Sequence, residues 1–155
     1  VTLTVWDEPR PATLVRPQAV VRLPPLDELV EQWPTVAALL RKATVITGCY
    51  EPIDLLRLAM AGQVGIWVCE VDGAIAAAVA TEIKQYPRRR ILEIMFTGGN
   101  NMRAWLPTLV ETLDEHARQA GCSHIATTGR PGWARAWGGE LTGSVVIVRG
   151  LKDQR

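Results

Sequence analysis

Asp72-Gly73 separates two apolar segments, Val64 to Val71 (VGIWVCEV) and Ala74 to Ile83 (AIAAAVATEI). A two-residue type I′ turn needs positive φ at both central positions, which Asp-Gly tolerates, so this pair predicts a hairpin of two antiparallel strands. The β-branched and aromatic residues on its first side suit a pleated, half-buried surface. Pro87 and Arg88 to Arg90 make the next turn, and Ile91 to Thr97 (ILEIMFT) adds a third strand, expected to be buried on both faces. Glu93 is the only charge inside that strand. A carboxylate there needs a solvated register or a hydrogen-bonded partner.

The period changes after Gly98-Gly99-Asn100-Asn101. Trp105, Leu106, Leu109, Val110, Leu113 and Ala117 recur at three and four, which predicts an amphipathic helix over Arg103 to Ala120 with Pro107 in its first turn and Gly121 as C-cap. A helix of this length is an adequate crossover, so His124 to Thr127 is expected to return parallel to the third strand. Gly129 to Gly139 (GRPGWARAWGG) reads as a turn and a short helix from Pro131, and Ser144 to Arg149 (SVVIVR) as a last strand. Upstream of the hairpin, Asp27 is placed to cap a helix presenting Leu29, Val30 and Trp33 that Pro34 interrupts. Thr35 can cap a second short turn with Val36, Leu39 and Leu40. Glu51-Pro52 opens another helix, with Ile53, Leu56, Leu58 and Met60 as its apolar contacts.

Six of the ten prolines fall within the first 34 residues, where they remove backbone donors and favour extended geometry. Residues 1–25 therefore read as a proline-rich arm, with Ala19 to Leu23 as a possible short strand, and 26–155 as one domain. Leu3, Val5, Trp6, Leu14 and Val15 are too apolar for a solvated tail, so the arm is expected to lie against a surface.

Composition narrows the classes. Lys plus Arg number 17 against 16 Asp plus Glu, and a net charge of +1 disfavours a dedicated nucleic-acid binder, leaving Arg88 to Arg90 as a solvated turn. The longest aliphatic run is too short to cross a bilayer, and no leader-like segment opens the sequence, so neither membrane insertion nor signal-directed secretion is expected. Cys49, Cys69 and Cys122 are odd in number and widely spaced, which reads as buried free thiols rather than bridges or metal ligands.

The order strand, helices, three antiparallel strands, glycine turn, long helix, strand, short helix, strand resembles the GNAT acetyltransferase superfamily over Val20 to Arg149. The resemblance implies an α/β (α+β) fold with a central mixed sheet flanked by helices. It also implies an opening between the fourth and fifth strands that takes the pantetheine of acetyl-CoA, with the pyrophosphate on the turn before the long helix. On that turn it makes Gly98, Gly99, Asn100, Asn101 and Arg103 the cofactor-binding candidates. The sequence FTGGNNMRAW lacks the later glycine of the family pattern. The tyrosine that the family commonly carries after the fifth strand is also missing, and Trp133 and Trp137 occupy that stretch. If the chain is active, Glu93 is the candidate base; an arginine partner is the plain alternative. His124 and His116 have similarly plain readings, as a strand-start residue and a helix-face residue.

GRPGWARAWGG further resembles small GNAT-like proteins encoded among tailed-phage head and tail genes. With the eroded turn and missing tyrosine, this leads to the expectation of a noncatalytic component of a phage particle, found in the virion or host cytoplasm, without cofactor or metal. Such a protein would act by contacts with other virion proteins or by self-association through the arm and an exposed sheet edge. Trp6, Arg130, Trp133, Arg135 and Trp137 are its interface candidates, because Trp and Arg are favoured at interface hot spots. The alternative is an acetyl-CoA-dependent N-acetyltransferase with a degenerate pyrophosphate turn.

Overall fold

The computed structural model describes residues 18–128, 132–138, 140–141 and 146–151, with 132–134, 140–141 and 146–149 described through their backbone alone. The hairpin lies where the Asp-Gly pair puts it. Strands β2 (Gly65–Val71) and β3 (Ala74–Gln85) pair antiparallel around it, and Asp72 and Gly73 take φ of 50° and 83°. Strand β1 (Ala19–Arg22) adds to β2, and Arg22 fastens it by bonding both Glu70 of β2 and Glu28. The last residues of the arm, Ala19 to Arg22, are thus part of the sheet.

Helices α1 (Leu26–Glu31) and α2 (Trp33–Thr47) follow. Pro25 rather than Asp27 precedes α1 as its N-cap. Pro34 does end one helix, but only by opening the next, since its fixed φ and missing N–H suit a first turn. The resulting α2 is fifteen residues long rather than a short turn, and Gly48 closes it in the left-handed region. In α3 (Pro52–Met60) the buried face is Pro52, Leu55 and Leu56; Ile53 and Met60 are exposed.

Strand β4 (Arg90–Gly99) completes the antiparallel group. Helix α4 (Met102–Gln119) then crosses to β5 (His124–Thr128), which lies parallel to β4. Pro107 is the sixth residue of α4, beyond the first turn, so the ladder loses one donor there. Helix α5 (Gly132–Trp137) leads to β6 (Glu140–Leu141) and β7 (Val146–Gly150). The sheet order is β1-β2-β3-β4-β5-β7-β6. The last strand that sequence reading missed is β6, whose two residues are too few for any periodicity to show.

Two cores flank the sheet. On one face Trp67, Cys69, Ala77, Val79, Leu92, Ile94 and Ile125 pack under Trp105, Leu109 and Leu113 of α4, with Trp137 of α5 joining them. On the other, Ile66, Val68, Ala78 and Ala80 meet α1, α2 and α3 through Leu29, Val36, Leu40 and Leu55. Each fully buried Leu contributes about 1.5–3 kcal/mol. Cys69 and Cys122 are buried as expected, but Cys49 is exposed just beyond α2. Among the described residues, no helix is long and apolar enough to cross a membrane, and no group of His, Cys, Asp and Glu is placed to hold a metal ion.

Candidate functional site

Strand β4 has two halves. Ile91, Leu92, Glu93 and Ile94 pair with His124, Ile125, Ala126 and Thr127 of β5. Above Ile94 the described pairing with β5 stops, whereas β4 continues to Gly99 along β3. Met95 marks the fork. Ala80 faces Phe96 and the next residue, Thr81, faces Ile94, so Met95 is the extra residue of a β-bulge. A bulge bends its strand and increases local twist, which carries β4 away from β5. The β5-facing backbone groups of Met95 to Gly99 thus border an opening in mid-sheet, and backbone donors and acceptors of that kind need partners.

The turn to α4 is tight. Asn100 N–H bonds Ala76 O at 2.9 Å, Trp105 Nε1–H bonds Asn100 O at 2.7 Å, and Asn101 takes a left-handed φ of 56°. No side chain caps α4. The Asn100 amide oxygen is instead occupied by the Lys42 ammonium at 2.7 Å. An uncapped helix N-terminus offers free N–H groups and a positive dipole end. Here Lys42 of α2 and the exposed Arg103 add two formal charges beside it.

Gly98 and Gly99 have another reason to be glycine. A Cβ on Gly98 would lie 1.9 Å from Leu39 O, in the backbone of α2, and one on Gly99 would lie 2.4 Å from the Ala77 Cβ. The close approach they permit is that of α2 and β3, which by itself requires glycine at both positions. Asn100 and Asn101 likewise shape the turn through their backbone. Of the five cofactor candidates, Arg103 is the one that carries a positive charge, and its side chain is exposed. Lys42 went unnoticed because 58 residues separate it from Asn100.

Glu93 lies two residues below Met95. Alternation with Leu92 and Ile94, which pack toward α4, puts it on the α2–α3 face. Its cross-strand partner is Glu82, an unfavourable like-charge pair. Lys84 Nζ answers both, at 3.0 Å from Glu93 and 3.3 Å from Glu82, so the partner is a lysine and not an arginine. Glu93, and secondarily Glu82, holds the Lys84 ammonium well above the ordinary lysine range.

The histidines lie away from the fork. His124 pairs with Ile91 at the opposite end of the β4–β5 ladder, and its Nδ1 is 2.8 Å from Ser123 Oγ. His116 meets the Trp67 ring edge to face at 4.8 Å, and burial lowers its pKa. Of the arginine turn, Arg90 is structural: its Nε–H bonds Ala120 O at 2.8 Å. Trp6 and Arg130 lie outside the described residues, as does the Trp133 side chain. Arg135 is exposed, but Trp137 is 4% exposed within the α4-side core and is not a surface anchor.

Three features meet at this place: the strand edge above the bulge, which has no partner among the described residues, the uncapped α4 N-terminus, and the two cations beside it. Solved structures agree in fold. An aminoglycoside 6′-acetyltransferase type Ii superposes with a TM-score of 0.65 at 10% identity, covering 88% of this chain and 99% of its own. The GNAT family N-acetyltransferase YhbS from Escherichia coli, in complex with CoA, gives 0.60 at 18%, covering 89% and 83%. The PaiA N-acetyltransferase from Thermoplasma acidophilum, also with coenzyme A, gives 0.56 at 12%, covering 86% and 99%. No protein-family model and no curated protein sequence matches the chain. The chain has the fold of the GNAT acetyltransferases. The expectation of a noncatalytic virion component without cofactor is overturned by these neighbours, which are acetyltransferases, two of the three in complex with coenzyme A.

Proposed function

We propose that this chain is an acetyl-CoA-dependent N-acyltransferase. The observation that carries the reading is the fork above Ile94, where β4 bulges at Met95 and runs on without β5 toward an uncapped helix N-terminus. The backbone edge of Met95 to Gly99 would hold the amides of the pantetheine arm, and the first N–H groups of α4, with Lys42 and Arg103, its pyrophosphate. Bound acetyl-CoA supplies the acyl group as an activated thioester.

An amine must lose a proton to become acylated, and Glu93 is the carboxylate placed to take it, directly or through water. Lys84 balances its charge while Glu93 is ionised. No tyrosine stands between β5 and β7, so the reading assigns the thiol's proton to solvent.

Titration calorimetry with coenzyme A tests the reading: micromolar binding supports it, and no heat at millimolar ligand overturns it. The same measurement on Arg103→Ala is expected to show weaker binding that becomes less sensitive to salt.

A further inference from the structure

A cavity of about 460 Å³ opens between α2 and the start of α3. Its size is within the range of small-molecule sites. Trp33 and Tyr50 provide two aromatic walls, and Tyr50 is held in turn by an edge contact with Phe96 at 5.6 Å. Ala37 and Thr44 line it as buried residues, 8% and 1% exposed. Among the described residues the Thr44 hydroxyl makes one hydrogen bond, to Arg41 O, and at 3.5 Å it is at the limit of what counts as one. A buried hydroxyl so weakly satisfied lacks a good partner in the protein.

Two opposite charges also line the cavity, Arg41 and Glu51. They form no salt bridge with each other, and among the described residues the Arg41 guanidinium has no ion-pair or side-chain hydrogen-bond partner. Arg41 and Glu51 are both exposed, and the Glu51 carboxylate also caps α3 by accepting from the Asp54 N–H, which leaves it lone pairs for a further donor. A cation without an ion-pair partner and a carboxylate beside two aromatic residues complement a ligand that carries both charges on a flat or apolar body.

We infer that this cavity binds a zwitterionic aromatic amino acid, its carboxylate on Arg41, its ammonium toward Glu51 and its ring between Trp33 and Tyr50. Arg offers a planar donor fork matched to a carboxylate, and the two rings offer stacking surface at low entropic cost. The inference does not rest on acyl transfer and is read without coenzyme A.

The test uses the full chain and three probes: L-phenylalanine, phenylacetate, which lacks the ammonium, and phenethylamine, which lacks the carboxylate. Binding is followed by calorimetry or by chemical-shift perturbation. Phenylalanine should bind about tenfold more tightly than either truncated probe, as expected for one charge-assisted contact. Arg41→Gln should reduce phenylalanine to the level of phenethylamine and leave phenethylamine unchanged. Its thermal midpoint should stay that of the parent, because Arg41 supports nothing else. Trp33→Leu should weaken all three. Equal binding of the three probes, no binding of phenylalanine at about 10 mM, or an Arg41→Gln chain that binds phenylalanine as the parent does would overturn the inference.

Discussion

The lower half of β4, Arg90 to Ile94, is held on both edges, by β3 and by β5; among the described residues the upper half, Met95 to Gly99, is paired with β3 alone. One strand therefore does two jobs. Where both edges are paired, its side chains matter: Leu92 and Ile94 fill the core and Glu93 carries the candidate chemistry. Above the fork the backbone matters, and side chains shrink to glycine where α2 and β3 press closest. A single inserted residue, Met95, separates the two regimes.

The largest expected effect comes from filling the upper half. Gly98→Ala drives a methyl group into the α2 backbone at Leu39, where no side chain can yield, and should cost about 3 kcal/mol in urea unfolding. A Gly98→Ala chain as stable as the parent would mean that α2 does not pack there. In the lower half, Glu93→Gln should lower kcat about a hundredfold with little change in coenzyme A affinity, measured with an amine acceptor. Equal loss from a Glu82→Gln control would place the effect in the charge cluster as a whole rather than in Glu93.

A smaller effect distinguishes the sealed sheet from the fork. Cys69 of β2 is fully buried, and burial pushes its thiol up from an ordinary value near 9 to about 12. The folded state keeps the proton that the unfolded chain has already released. That contribution is therefore complete below about pH 9 and is lost as the pH rises toward 12, at about 1.4 kcal/mol per unit. Unfolding midpoints from pH 8 to 10.5 should show this slope, and Cys69→Ala should flatten it. The smallest effect is electrostatic: Lys42→Ala should weaken coenzyme A binding about threefold to tenfold at low salt, with the difference shrinking as salt is added.

Much of this fold was legible because its signals are local. The Asp72-Gly73 turn, the three-and-four spacing from Trp105 to Ala117 and the length of the crossover each report on neighbouring residues, and together they imply the hairpin, the third strand and the parallel return strand of the sheet. Strand β6 was not legible because two residues carry no pattern. The site was half legible. Glu93 stood out as the lone charge in an apolar strand, whereas Lys84 as its partner depended on the β3–β4 register. Gly98 and Gly99 stood out as a glycine pair before a helix, a pattern that looks the same whether a phosphate or a helix backbone occupies the space. Trp137, taken for a surface anchor, is core because α5 turns it toward α4.

By itself, the sequence determined the hairpin, the crossover helix and hence the architecture, because hydrophobic period and turn chemistry act over a few residues. Only the tertiary structure decided where the sheet opens. The fork follows from one residue too many in β4 relative to β3. Lys42 and the Arg41–Glu51 cavity depend on how α2 and α3 dock, and such contacts join residues whose separation in sequence carries no information about their distance in space.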